Sequence, residues 1–449
     1  MKLQTRRRIF YVFLLLFVVI GTVVVLYAEG WRIDFATMEA KKAGGIYIRS
    51  YPDNAAITLN GTPIQNQSGF LSPGTFISGL FPKRYVIALS APGYDRWTED
   101  APVAPSLVTA MKYAVLVPQS AASTTAVGVS DFFEANGNVV LRTATGTILW
   151  RGRSIGNGTI VSHSADLKNV IIRGATLGNG LAPYTLYDFS NATSTNLTAL
   201  LRSAGIAPTP ELNVFIDPYD DTGILVQTPA KIVRIDAGTR HVTAIDTVPA
   251  GRTIGSPLAI SPTTMAWARF DPASRTSEIM VYDKFSGDLI DSSLVVPGAV
   301  RQLAWVNANE LGILESDDIL RIYNVPNEQL STLADDVKRF FPAPDGSAVA
   351  ALEYHSTEIF VPNGTPDYYR FNLPGVGDIV GLAWYRDDTH LFVQYPDRIA
   401  FLDLADTALR NITTISPIAP GSTPVYDPQE NSLYLIDQDR RLVRFDFPQ

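Results

Sequence analysis

Few side chains in this sequence are of a type able to carry chemistry. The imidazoles are His163, His241, His355 and His390, and the acidic residues bunch in three places: Asp217 with Asp220 and Asp221, Glu315 with Asp317 and Asp318, and Asp387 with Asp388. Two carboxylates joined by backbone carbonyls can hold Ca²⁺. A transition-metal site needs three or four converging ligands, and no local spacing supplies them. Aspartate in a turn commonly bonds its own backbone, so turn solvation is the expected role of the three acidic groups, and a turn or strand edge that of His163 and His390. Trp267, Trp305 and Trp384 stand at related positions of a repeated phrase, which indicates packing rather than a sugar platform. Trp97 lies outside that phrase and is expected on a partner-facing edge.

Local signatures of catalysis are missing. There is no phosphate-binding G-x-x-x-x-G-K-[ST], no G-x-S-x-G, no H-E-x-x-H and no EF-hand loop. With Cys 0, thiol nucleophiles, disulfides and cysteine-ligated metals are excluded. The sequence assigns no catalytic residue and no cofactor, leaves metal ligation undetermined, and points to a protein that is not an enzyme. The seven Asn-x-Ser/Thr triplets, such as those at Asn191 and Asn196, are read as chance in a Ser- and Thr-rich chain.

The elements that must position these residues begin with an anchor. Ile9 to Ala28 are twenty positions without a charge, about 30 Å as a helix, which matches a bilayer core. Lys2, Arg6, Arg7 and Arg8 precede it, and basic flanks stay cytoplasmic, so the expected topology is a plasma-membrane protein with a cytoplasmic stub (1–8), one transmembrane signal anchor (9–28) and an extracytoplasmic body. A cleavable signal peptide fits less well. Leu26 is not the small residue that cleavage prefers, and Tyr27 and Trp31 suit an interfacial belt. Residues 1–42 carry +4 of the net −8, which leaves −12 on the body. An acidic body argues against nucleic acid as a partner.

After a linker (29–43), hydrophobicity alternates with period two. Ile46–Arg49, Ala56–Leu59, Tyr85–Leu89 and Lys112–Val117 read as strands, and Asn60-Gly61 is a hairpin signal because both residues tolerate positive φ. Ser50, then Pro52-Asp53-Asn54-Ala55, Asn60-Gly61, Pro82, Tyr85-Val86-Ile87 and Gly93-Tyr94 follow in a spacing that resembles the PEGA domain, a small β module of surface-associated prokaryotic proteins. Asp53-Asn54 stand where that family has Glu-Gly, and Lys83 where glycine is common. The resemblance covers residues 44–118 and implies a β-sandwich stalk without catalytic residues.

From residue 119 to 449 one phrase recurs: apolar residues, a Ser/Asp/Pro/Asn turn, then three or four β-formers. Its seven copies are centred at Ala165, Pro218, Pro262, Asn307, Pro344, Arg386 and Pro428, at steps of 53, 44, 45, 37, 42 and 42 residues. A second phrase, a strand ending in Asp or Asn, follows each, as in Leu186-Tyr187-Asp188, Val281-Tyr282-Asp283 and Arg370-Phe371-Asn372. Two hairpins per period give four strands, which predicts a seven-bladed β-propeller, with six or eight blades as the alternatives that the uneven steps of 53 and 37 leave open. The chain stops soon after Leu442–Phe447, so an N-terminal segment, Asn138–Leu141 or Thr147–Trp150, is expected to close the last blade. The phrase resembles that of TolB-type and WD-type propellers, with Pro344-Asp345-Gly346 its nearest copy. The fold class is therefore an all-β ectodomain, a small β-sandwich plus a β-propeller, behind one N-terminal transmembrane helix.

For function, the expectation is a membrane-anchored binding or scaffold protein that displays the propeller to a protein or a cell-envelope polymer. The alternative is a propeller hydrolase or lyase whose site assembles in the central channel from residues distant in sequence.

Overall fold

A computed structural model of the chain describes residues 3–34, 38–69, 72–255, 258–291, 294–354, 357–361, 369–370, 379–404 and 412–449. His355, Phe371 and Asn372 lie outside the described residues. Two compact units result: residues 1–120 with 401–415 and 447–449, and residues 121–400 with 416–446.

The first unit opens with a helix, Leu3–Ala28, within which Ile9–Ala28 is long and apolar enough to cross a membrane, with none of that span buried. The stretch expected as a linker pairs as a hairpin, Trp31–Asp34 with Glu39–Lys42. The Arg32 guanidinium stands 3.6 Å above the Tyr27 ring and donates to the Tyr27 carbonyl. Among the described residues seven strands then form two sheets. Gly44–Tyr51 lies between Thr75–Leu80 and Val108–Val115, while Ala56–Leu59 and Arg84–Ser90 are flanked by Thr62–Ile64 and Trp97–Pro102. The alternation of Ile46 and Ile48, and of Ile87 and Leu89, turns these side chains inward, where all four are at most 1% exposed. Asn60 (φ 48°) and Gly61 (φ 79°) make the tight turn that Asn-Gly favours. Trp97 corrects an expectation. It is buried in the sandwich core, and its indole N–H donates to Asp403 at 3.4 Å within this unit. Strand alternation decides this, since Trp97, Glu99 and Ala101 share the inward face.

The rest of the chain forms successive antiparallel sheets with the strand order of a β-propeller. The described residues give eight of them, where the repeat reading counts seven. The additional one comes first: Val129–Ala135, Asn138–Thr143, Thr147–Trp150 and Arg153–Asn157. Its opening hairpin turns on Asn136 (φ 52°) and Gly137 (φ 73°) alone, without the longer Ser/Asp/Pro turn that marks the other seven. Asn138–Leu141 and Thr147–Trp150 are consequently interior strands and not the closing segment. The closing strand is Ser123–Val127, paired with Arg441–Asp446 so that Ser123 faces Arg444 and Val127 faces Arg441. It covers the edge that the last sheet would otherwise expose.

Hydrophobic clusters join neighbouring sheets. Val129 and Phe132 of the first pack with Tyr434 and Leu442 of the last, Tyr184 of the second with Val214 of the third, and Leu225 of the third with Trp267 of the fourth. The recurrent phrase is the first hairpin of the second to eighth sheets, and the strand ending in Asp or Asn is generally their third strand. Arg370 departs from this, since it lies in the fourth strand of the sixth sheet.

Candidate functional site

The third sheet begins with the hairpin Asn213–Asp217 and Asp220–Gln227, and the fourth ends its third strand, Thr276–Asp283, in a turn that leads to Leu289. First hairpins and third-to-fourth-strand turns emerge at the same end of a sheet, so the two tips enclose a cavity of about 390 Å³. Its walls include Asp217, Tyr219, Asp220, Arg234, Tyr282, Lys284 and Phe285, and Leu225, Ile245 and Met265 add apolar surface.

Both tips are held by aspartate acting on its own turn. Asp217 Oδ1 accepts from the Tyr219 N–H at 3.0 Å, and Asp283 Oδ1 from the Phe285 and Ser286 N–H groups at 2.7 and 2.9 Å. Gly287, at φ +80°, lets the second turn close. Held this way, Tyr219 and Phe285 stand 56% and 82% exposed at the rim.

Two ion pairs line the interior. Lys284 Nζ reaches Asp217 Oδ2 at 2.7 Å, with the carboxylate 2% exposed, donates to the Ser261 carbonyl at 3.2 Å, and stands 5.4 Å above the Tyr219 ring. Arg234 Nη2 donates to Asp220 Oδ2, and Thr222 donates to Asp220 Oδ1 through both its N–H and its hydroxyl. Burial pushes the Asp220 carboxyl up, but the bonds from Arg234 and Thr222 outweigh it and hold it below the usual value. Gly223 makes this possible: a Cβ there would lie 2.8 Å from Asp220 Oδ2 and 3.2 Å from Arg234 Nε.

The first acidic group is drawn into these pairs. Asp217 and Asp220 do converge, but on Lys284 and Arg234, while Asp221 lies 3.4 Å from Lys168 Nζ. Among the described residues no group of three or more His, Asp or Glu side chains is placed to hold a metal ion.

The other candidates stay apart. Glu315 is fully buried against Arg321 Nε at 2.7 Å, and Asp318 pairs with Arg301 at 2.7 Å. His390, 1% exposed, lies 2.8 Å from Asp387 Oδ2, and burial together with Asp345 and Asp387 pushes the neighbouring Asp388 carboxyl up to about 6. His163 Nδ1 lies 2.9 Å from the Ser164 carbonyl, and His241 is exposed just ahead of the strand Val242–Thr247. Each of the three tryptophans reaches back to the preceding sheet: Trp267 to Asp246 Oδ2 (2.7 Å), Trp305 to the Ala259 carbonyl (3.3 Å) and Trp384 to the Phe341 carbonyl (2.9 Å).

Sequence reasoning missed the rim aromatics. Their signal was an aromatic just beyond each turn-forming aspartate, in Asp217-Pro218-Tyr219 and Asp283-Lys284-Phe285. It also missed Glu134, on the first strand of the first sheet. Burial, then a hydrogen bond with Asp427, raises its carboxyl from the ordinary 4.5 to about 8, against the N–H of Gly137.

No protein-family model matches the chain, and no curated protein matches its sequence. Solved structures that resemble it include an oligogalacturonate lyase in complex with manganese (13% identity, 73% of this chain and 99% of that one, TM-score 0.48) and an oligogalacturonate lyase from Vibrio parahaemolyticus (12%, 73% and 98%, 0.46). BamB from Moraxella catarrhalis is a third (12%, 73% and 97%, 0.47). With two enzymes among these structures, the expectation that this protein is not an enzyme is withdrawn. At such identities the likeness is one of fold, and the fold is the β-propeller already traced through its sheets.

Proposed function

We propose that this protein is a membrane-anchored receptor whose propeller recognises a ligand, supplied by a partner protein or an envelope polymer, in the cleft between the third and fourth sheets. One observation carries the reading. Two large aromatic side chains, Tyr219 and Phe285, are held out at the mouth of a concavity that also contains polar groups, whereas a non-functional surface gains nothing by exposing them. The basic residues before Ile9 support an N-terminus in the cytoplasm and a body outside the plasma membrane. The two-sheet module over residues 44–118, with Pro52, Asn60-Gly61 and Gly93-Tyr94 at its turns, is proposed as a PEGA-type stalk, and the eight sheets as eight blades. The test is capture of envelope components by the full-length chain in detergent. Tyr219→Ala with Phe285→Ala should abolish capture without lowering the melting temperature, and undiminished capture by that variant overturns the reading.

A second reading is catalysis at the same cleft by a hydrolase or lyase. It is favoured by Asp217, buried at 2.7 Å from Lys284 with Tyr219 and Tyr282 in the same wall, because such groups can exchange protons with a bound polymer. Shortening of an envelope polymer by the wild type, lost in Lys284→Met, supports this reading. Intact polymer eluted from the cleft excludes it.

A further inference from the structure

We infer that the ligand of this cleft is an uncharged saccharide, a conclusion that rests on the cleft being the binding site. The charges come first. Asp217, Asp220, Arg234 and Lys284 sum to zero, and each acid is already paired with a base. An anionic ligand would have to compete with Asp217 and Asp220 for the two cations, and a cationic one with Lys284 and Arg234 for the two acids. Either exchange leaves a partly buried charge without its partner, which is costly.

A hydroxyl group avoids that exchange. It donates one hydrogen bond and accepts others, so it can sit against an ion pair and bond both members. Arg234 spends one Nη2 donor on Asp220, and its side chain is 37% exposed, so the guanidinium retains N–H groups facing the cleft. Lys284 has three donors and two oxygen partners, Asp217 Oδ2 and the Ser261 carbonyl. Vicinal hydroxyls on a sugar ring are spaced to use such adjacent donors and acceptors together.

The aromatics supply the other half of saccharide chemistry. A pyranose has an apolar face of C–H groups that packs on an aromatic ring, and Phe285, 82% exposed, lines the same cleft as Tyr219. A cavity of about 390 Å³ lies near the small end of the ~300–1,000 Å³ usual for ligand sites, and suits a short segment of a glycan rather than a folded domain. A lipid or other purely apolar ligand would bury two ion pairs against hydrocarbon and return no hydrogen bonds to them.

The experiment uses the full chain in a polyoxyethylene detergent, since alkyl glycosides would themselves compete. Ligand-observed NMR is run against three sets of probes: neutral oligosaccharides, uronic-acid oligosaccharides and peptides of mixed charge. The inference expects neutral oligosaccharides to bind, with affinity changing less than about twofold between 0.05 and 0.5 M salt because no net charge is matched. Tyr219→Ala and Phe285→Ala should each weaken that binding about tenfold or more, while their melting temperatures stay at the wild-type value. Binding of the acidic glycans or the peptides alone, lost in the same variants, overturns the saccharide assignment and leaves the cleft as the binding site. Neutral-glycan binding unaffected by either variant overturns the assignment to this cleft. Silence of all three sets, with envelope capture unchanged in the double variant, overturns the assignment and the receptor reading together.

Discussion

The backbone N–H of Gly137 is shared by two carboxyl groups from the first and last sheets of the propeller, Glu134 Oε1 at 2.8 Å and Asp427 Oδ2 at 3.1 Å. Glu134 belongs to the first sheet of the propeller and Asp427 to the last, and both are buried. Two carboxyls this close and this dry cannot both be charged cheaply, so Glu134 keeps its proton, and Glu430 adds a third acid nearby.

This pair makes stability pH-dependent with a defined sign. An acid whose value is raised on folding, from 4.5 to about 8 for Glu134, releases its proton more readily unfolded, so its contribution is fully favourable below about 4.5, falls as pH rises, and is fully lost above about 8. Asp388, raised to about 6, acts in the same direction, so replacing Glu134 removes only part of the slope. Thermal unfolding of the full chain at pH 5, 7 and 9 should show a falling melting temperature, and Glu134→Gln should melt above the wild type at pH 9. Equal values for the two proteins at pH 9 would sink this account.

Gly223→Ala should damage the cleft from behind. The added methyl would meet Asp220 Oδ2 at 2.8 Å, displacing the carboxylate from Arg234. Asp220 is then expected to titrate closer to the ordinary carboxyl range, readable by ¹³C NMR of its carboxyl carbon, at a cost in stability of about 1 kcal/mol. An unmoved Asp220 titration would show that the carboxylate has room the geometry denies it.

Among the tryptophans, Trp267→Phe should cost more than Trp305→Phe. Trp267 donates to the buried carboxylate of Asp246 at 2.7 Å, and Trp305 to a neutral carbonyl at 3.3 Å. Bonds to charged groups contribute roughly 1.5–3 kcal/mol against about 1 for neutral ones. Denaturant midpoints of the two variants decide the order.

Deleting Ser123–Val127 should make the protein associate with concentration more strongly than the wild type does. The strand covers the outer edge of Arg441–Asp446, and the Ala122 N–H ahead of it reaches the Arg444 carbonyl at 2.7 Å. Bare edges recruit other strands. Sedimentation of the truncated and wild-type chains over a tenfold concentration range would show this, and equal behaviour of the two would refute it.

Much of the fold was legible because it is local. Period-two alternation, Asn60-Gly61 and the recurrent Asp/Pro turns are short-range signals, and they marked seven first hairpins of the propeller correctly. The first sheet escaped because Asn136-Gly137 makes the same hairpin in two residues, without the phrase, and a count of phrases then falls one short. The closing strand was foreseen in kind but misplaced, since any β-forming segment near residue 130 satisfies the same argument and only pairing with Arg441–Asp446 selects Ser123–Val127.

By itself, the sequence determined the apolar helix, the sandwich-then-repeat order, the absence of thiol chemistry and the turn role of most aspartates, because each follows from residue type within a few positions. The tertiary structure alone decided which charges meet. Lys284 and Asp217 are 67 residues apart, and Glu134 and Asp427 are 293 apart. Whether an aspartate ends as a calcium ligand, an ion-pair partner or a buried acid depends on what the neighbouring sheet brings to within 3 Å, and no spacing along the chain encodes that distance.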